Sequence, residues 1–211
     1  MNVWAIIPVK SFALGKSRLA TLLGPTERAE LNRRLFQHVF ATTVALLGAG
    51  RVTVVTADAG LEAFVREHKA HWVPDPDAGG LNAALAKAGN YACANGANAI
   101  LVLPSDLPLL QTGDVDAMCA ALTPAPACVI APDTLELGTN ALALSPPPPA
   151  PDFFRFGERS FAAHVEAARR HGMEPCIVRR PGLACDLDTP DDYRRLANQL
   201  WPEARSVVCA N

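Results

Sequence analysis

The sequence predicts a mixed, mostly parallel α/β sheet flanked by helices. Three observations carry that expectation. Short β-rich runs alternate with longer helical patterns along the 211 residues, the arrangement of a chain that crosses back over its own sheet. The first run, Val3–Ile7, is apolar at every position, as a strand covered on both faces must be. Half the residues are hydrophobic and 19% are charged, which supplies a full core and excludes a mainly disordered chain.

The elements follow in order. After the strand Val3–Ile7, a helix starts at Pro25. Gly24 can cap it, Pro25 suits the first helical position, and Glu27 lies near the positive end of the dipole. Leu31, Leu35 and Val39, with Phe36, Phe40 and Val44, give it a wide apolar face. Val52–Val55 is a second strand, Leu61–Lys69 a short helix and His71–Val73 a third strand. Gly79-Gly80 opens an alanine-rich helix over 81–94. Ile100–Leu103 is a fourth strand, followed by Pro104-Ser105-Asp106-Leu107-Pro108. A helix over Asp114–Leu122 leads to a strand at Cys128–Ala131. Asn140–Leu144 reads as a sixth strand for which an antiparallel course is open. Ser145–Pro151, with five prolines, reads as a stiff exposed connector. A helix over Glu158–His171, a strand at Cys176–Val178 and a helix over Thr189–Leu200 complete the set. One domain over 1–200 and a loose tail over 201–211 are expected.

Several function classes are disfavoured. A net charge of −2 and 6% aromatic residues argue against a nucleic-acid partner. No apolar run reaches about 18 residues, so no membrane span is expected. The opening residues lack a signal-peptide pattern. The six cysteines form no metal-binding pair and read as free, mostly buried thiols of a cytoplasmic protein. His38 and His164 fall within helical patterns and read as packing residues. Gly15-Lys16-Ser17 is not a P-loop, because Lys10 stands where that motif needs glycine.

Ligands of open α/β sheets sit beyond the carboxyl ends of the strands, so the polar residues that follow each strand are the candidates. The first strand is followed by Lys10, Gly15, Lys16 and Arg18, the third by Asp75, Asp77, Gly80 and Asn82, and the fourth by Asp106. Asp186 and Asp188 come near the end, on one side of an extended segment with Leu187 facing the core. Cations at one strand end and carboxylates at others suit a metal-bound polyphosphate. Each feature also has a structural reading. The lysine loop could be a solvated basic loop, Asp106 a turn former, and Asp188 or Thr189 the cap of the last helix. Phosphate binding and a divalent ion at Asp106, Asp186 and Asp188 are the favoured readings.

Six collinear motifs carry a resemblance across nearly the whole chain. They are Pro8-Val9-Lys10 with Gly15-Lys16-Ser17-Arg18-Leu19, Gly80-Leu81-Asn82-Ala83-Ala84, Pro104-Ser105-Asp106-Leu107-Pro108, and Gly138-Thr139-Asn140-Ala141-Leu142. Phe156-Gly157 with Ser160-Phe161 and His164, then Asp186-Leu187-Asp188-Thr189-Pro190, complete them. Together they resemble the phospholactate guanylyltransferase family. The resemblance implies a nucleotide-diphospho-sugar transferase fold of the glycosyltransferase-A type. It also implies transfer of GMP from GTP to a small phosphorylated carboxylic acid, with pyrophosphate released, in coenzyme F420 biosynthesis. The acid would be 2-phospholactate, phosphoenolpyruvate or 3-phosphoglycerate, and the product would pass to a downstream transferase.

By that resemblance, Lys10, Lys16 and Arg18 hold the GTP phosphates, with Gly80, Leu81 and Asn82 against the guanine. Asp106, Asp186 and Asp188 bind Mg2+, and Thr139, Gly157 and Ser160 hold the acceptor phosphate. The chain departs from the pattern at Asp133–Leu137, which lacks an expected glycine and arginine. It departs again at Glu158-Arg159, where small or neutral residues are usual. Arg159 is a candidate partner for the acceptor's carboxylate or hydroxyl-bearing end. Two alternatives stand beside this reading. Another nucleotidylyltransferase of the same fold is disfavoured because Pro8-Val9-Lys10 replaces the glycine-rich loop after the first strand. A catalytically silent nucleotide-binding module is disfavoured by the three aspartates. A homodimer is the expected assembly.

Overall fold

The computed structural model describes residues 1–75, 79–147 and 153–200, without the side chains of 197–200. Asp77, the connector from residue 148 onward and the tail 201–211 lie outside the described residues. Among the described residues, seven strands form one sheet: β1 (Val3–Val9), β2 (Val52–Thr56), β3 (His71–Pro74), β4 (Ala99–Val102), β5 (Ala127–Pro132), β6 (Thr139–Ser145) and β7 (Cys176–Ile177). Their order across the sheet is β3-β2-β1-β4-β6-β5-β7. β1 pairs in parallel with β2 and with β4, and β6 alone runs antiparallel to its neighbours β4 and β5. The chain therefore leaves β1 toward β2 and β3, then crosses back to β4 on the other side. That reversal opens a crevice between the carboxyl ends of β1 and β4.

Seven α-helices among the described residues accompany the sheet: α1 (Pro25–Leu47), α2 (Leu61–Glu67), α3 (Gly80–Ala94), α4 (Thr112–Ala120), α5 (Ser160–Arg170), α6 (Pro181–Ala184) and α7 (Pro190–Leu200). Strand β1 shows how the sheet divides the core, since successive side chains point to opposite faces. Val3, Ala5, Ile7 and Val9 pack with Phe36 and Phe40 of α1, Val65 of α2 and Met118 of α4. Trp4 and Ile6 pack with Leu85 and Ala88 of α3 and with Ala167 and Ala168 of α5.

Helix α1 begins as its sequence predicts, with the Gly24 amide donating to Glu27 Oε2 at 2.6 Å. Most elements start or stop within two residues of their expected bounds. Helix α6 and the 3-10 turn Ser17–Thr21 were not expected, since elements this short carry no readable periodicity. Two side-chain expectations need correction. His38 on α1 faces solvent, because it falls on the helix flank opposite Val39 and Phe40. Cys93 and Cys176 are exposed free thiols, whereas Cys128 and Cys185 are buried ones. Among the described residues, no helix is long and apolar enough to cross a membrane.

Candidate active site

The loop after β1 is held from behind. Asn32 of α1 donates from Nδ2 to the Phe12 carbonyl at 2.8 Å, and Gly15 passes directly over that amide. A Cβ on Gly15 would lie 2.5 Å from Asn32 Nδ2, so any side chain there would have to push the Asn32 amide off the Phe12 carbonyl. Lys16 follows in the left-handed region, with φ 56°, a conformation that costs a non-glycine residue roughly 1–2 kcal/mol. Its carbonyl accepts from the Leu19 amide at 2.9 Å, which starts the 3-10 turn and buries Leu19 completely. Together these contacts aim the Lys16 side chain inward, where only 7% of it is exposed.

The Lys16 ammonium lies 2.6 Å from Asp106 Oδ2 and 3.7 Å from Asp188 Oδ1. Burial alone would lower its pKa, but the charges of Asp106, Asp188 and Asp186 outweigh that and raise it. Arg18 Nη1 donates to Asp188 Oδ2 at 2.6 Å. Aspartates distant in the chain thus meet around the cationic loop. A backbone bond joins their two segments, from the Leu187 amide to the Asp106 carbonyl at 3.1 Å. Leu187 is fully buried and leaves Asp186 and Asp188 on the other side of the segment, as the spacing predicts. The competing role of helix cap falls to Thr189, whose hydroxyl accepts from the Asp192 amide at 3.2 Å. Asp192 Oδ2 accepts in return from the Thr189 amide at 2.9 Å. Asp188 is thereby left to the crevice.

Asp186, like Asp106 and Asp188, is partly buried. Burial pushes its carboxyl pKa up, and the neighbouring charge of Asp106 pushes it further. Asn140 of β6 donates to its Oδ1 at 3.4 Å. Three carboxylates crowded so that one resists ionisation form a set of hard oxygen donors suited to a divalent cation. Among the described residues, no group of three potential ligands stands at ready-made metal distances, and Lys16 is the group that contacts both Asp106 and Asp188.

A cleft of about 690 Å³ opens above this cluster, lined by Lys10, Lys16, Arg18, Asp106 and Asp188. Gly80 and Leu81 at the start of α3, with Phe156, form its other wall. Asn82 is turned away from the cleft. Its Nδ2 donates to the Phe156 carbonyl at 3.0 Å and its Oδ1 accepts from the Phe156 amide at 2.9 Å. The Asn82 carboxamide therefore uses both its donor and its acceptor to fix the backbone that carries Phe156. A cavity of this volume holds a nucleotide-sized ligand.

A second cavity of about 640 Å³ shares Arg18 with the first and is lined further by Asp133, Gly157 and Arg159. Thr139 and Ser160 lie just beneath, both buried. Ser160 Oγ accepts from the Thr139 amide at 2.9 Å, and the Thr139 hydroxyl meets His164 Nδ1 at 2.9 Å. His164 Nε2 accepts from the Arg155 amide at 3.0 Å, so Nδ1 carries the proton and donates to Thr139. Burial holds His164 at a pKa of about 4, well below its usual value, which bears out its reading as a satisfied packing residue. The unfolded chain protonates this histidine below about pH 6.5, whereas the folded chain does not until about pH 4. This contribution to stability is complete above the upper limit. It falls by about 3 kcal/mol as pH drops through that window. Urea titrations at pH 7 and pH 4.5 should show that loss in the wild type and a smaller one in His164→Gln.

The crevice thus brings together Lys10, Lys16, Arg18, Gly80, Leu81, Asp106 and Asp188, with Asp186 behind them. Gly157 faces the second cavity, while Thr139, Ser160 and Asn82 stand one layer back. Asn32, Asn140 and Phe156 complete the site. An amide within an apolar helix face or strand was the available signal for the first two.

Comparison with known proteins identifies the family and agrees with the fold. Residues 3–198 match the family described as guanylyl transferase CofC like. The chain is 41% identical over 198 residues to the phosphoenolpyruvate guanylyltransferase of Rubrobacter xylanophilus, covering 93% of this chain and 94% of that protein. It is 39% identical over 193 residues to the enzyme of the same name from Chloroflexus aggregans, covering 90% and 94%. Among solved structures, a protein from Desulfovibrio desulfuricans G20 assigned as a nucleotide-diphospho-sugar transferase superposes with a TM-score of 0.75. It is 20% identical, with 96% of this chain and 90% of that one covered. A nucleotidyl transferase from Methanothermobacter thermautotroptrophicus superposes with a TM-score of 0.66 at 18% identity, covering 97% and 98%. At such identities these two establish the fold alone, a nucleotidyltransferase α/β fold. With the family match spanning nearly every described residue, the chain belongs to the CofC-like guanylyltransferases and is an enzyme of nucleotidyl transfer.

Proposed function

We propose that this enzyme transfers GMP from GTP to the phosphate of phosphoenolpyruvate, releasing pyrophosphate, as a step in assembly of coenzyme F420. The observation that carries the reaction is the meeting of Lys16 and Arg18 with Asp106 and Asp188 at the mouth of a nucleotide-sized cleft. The choice of acceptor rests on the names of the relatives described above. A phosphomonoester loses its second proton near pH 6, so the attacking oxygen is already anionic at neutral pH and needs no strong base. It attacks the α-phosphorus in line and pyrophosphate leaves. The barrier is repulsion between anions, which positioned cations offset.

Lys10, Lys16 and Arg18 face the triphosphate, and Leu81 and Phe156 offer apolar surface to the base. Asp106, Asp186 and Asp188 would hold Mg2+, which supplies charge neutralisation at the transferring phosphoryl group. Binding of the triphosphate gives the Lys16 ammonium an alternative anionic partner to Asp106. The product is a mixed anhydride of two phosphates, an activated donor for a transferase that would consume it next. The deciding experiment incubates the enzyme with GTP or ATP and each of phosphoenolpyruvate, 2-phospholactate and 3-phosphoglycerate, with products read by mass. The guanylylated adduct of phosphoenolpyruvate should dominate. Pyrophosphate release without an acceptor, or no adduct with any acid, would overturn the reading.

A further inference from the structure

The second cavity holds one cation that the reaction so far does not use. Four charged residues line it: Arg18, Asp133, Glu158 and Arg159. Two of them are committed. Arg18 is paired with Asp188, and Asp133 accepts from the amides of Leu135, Leu137 and Gly138 at 3.1, 2.9 and 2.9 Å. Among the described residues, no carboxylate lies within ion-pair distance of Arg159, although Glu158 is its chain neighbour.

The backbone at Arg159 is strained and held. Its φ is 54°, left-handed for a residue that gains nothing from that conformation by itself. The bonds around it leave little choice. Ser160 Oγ is tied to the Thr139 amide, the Phe161 amide donates to the Leu137 carbonyl at 3.1 Å, and the Ala163 amide donates to the Arg159 carbonyl at 3.3 Å. A flexible cationic side chain is thus launched from a fixed point into a cavity that touches the nucleotide cleft through Arg18.

We infer that Arg159 is the specificity-determining residue for the acceptor's carboxylate. The inference rests on the proposed function and deepens it. The acceptor carries two anionic groups, a phosphate that must reach the α-phosphorus and a carboxylate that takes no part in the bond changes. A planar guanidinium matches a carboxylate with two parallel hydrogen bonds. Lining the same cavity as Arg18, it sorts carboxylated phosphoacids from plain phosphomonoesters without touching the reacting atoms.

The test compares the acid that the wild type uses best with the same molecule lacking its carboxylate. The matched analogues are vinyl phosphate for phosphoenolpyruvate, ethyl phosphate for 2-phospholactate and 2-hydroxyethyl phosphate for 3-phosphoglycerate. Arg159→Asn removes the guanidinium but keeps a side chain that tolerates the left-handed backbone. The kcat/KM preference for the carboxylated acid should fall roughly 10- to 100-fold, through a higher acceptor KM. The KM for GTP and turnover of the analogue should stay as in the wild type. Arg159→Lys should restore part of the preference. An unchanged preference in Arg159→Asn, with the wild type active, overturns this assignment and leaves the proposed function standing. A fall in turnover of both acceptors alike also overturns it, since that marks a structural role. A wild type that modifies none of the three acids overturns both.

Discussion

Asp106→Asn and Asp188→Asn are each expected to lower guanylyl transfer by roughly 10³-fold while leaving the sheet intact. Asparagine keeps the volume of the side chain and removes its charge. Asp106 loses the group that faces Lys16 at 2.6 Å, and Asp188 loses its pairing with both Lys16 and Arg18. The bond that joins the two acidic segments, from the Leu187 amide to the Asp106 carbonyl, is made by backbone atoms and survives either change. The loss should therefore appear in kcat for pyrophosphate release, with circular dichroism and cooperative unfolding preserved. Near-normal release from either variant would remove the carboxylates from the mechanism.

Lys16→Met should have two effects of opposite sign. With substrates present, kcat/KM for GTP should fall by roughly 10²- to 10³-fold, because a cation proposed to face the triphosphate is lost. Without nucleotide, the same change removes the ammonium that contacts Asp106 and Asp188 and leaves, among the described residues, the Arg18–Asp188 pair as the remaining ion pair of the three carboxylates. Uncompensated carboxylates in a half-buried site attract a divalent cation. Mn2+ binding to the nucleotide-free variant, followed by electron paramagnetic resonance, should be tighter than to the wild type. Unchanged or weaker Mn2+ binding would show that Lys16 does not compete for that space. A uniformly destabilised variant would lose both properties together, so the opposite signs distinguish charge from packing.

The parallel sheet was legible because β1 and β4 are apolar on both faces, β2 departs from that only at Thr53 and Thr56, and helices with clear periodicity follow these strands. The antiparallel course of β6 was not determined by its residues, since strand direction leaves no trace in a fully buried run such as Thr139–Ser145. Asp106, Asp186 and Asp188 could be singled out from their positions after strands and from the alternation about Leu187. That Lys16 would sit among them could not be, because it depends on a left-handed residue following a glycine pressed against Asn32. Asn82 illustrates the limit most clearly. Its neighbours Gly80 and Leu81 do line the cleft, but its own amide matches the backbone of Phe156, 74 residues away. A partner at that sequence distance has no local signature.

One further feature sets how the molecule should fail. Leu19 behind the lysine loop, Leu35 of α1, Leu187 between the acidic residues and Leu196 of α7 form a small apolar cluster apart from the two that cover the sheet. The lysine loop and the Asp186–Asp188 segment of the proposed site are thus mounted on one minor nucleus, whereas Asp106 lies between Leu103 and Leu107 of a larger one. A minor nucleus can open while the larger ones stay closed. On gradual heating, catalysis should disappear some degrees before the sheet melts, and efforts to prolong the working life of this enzyme belong in that corner.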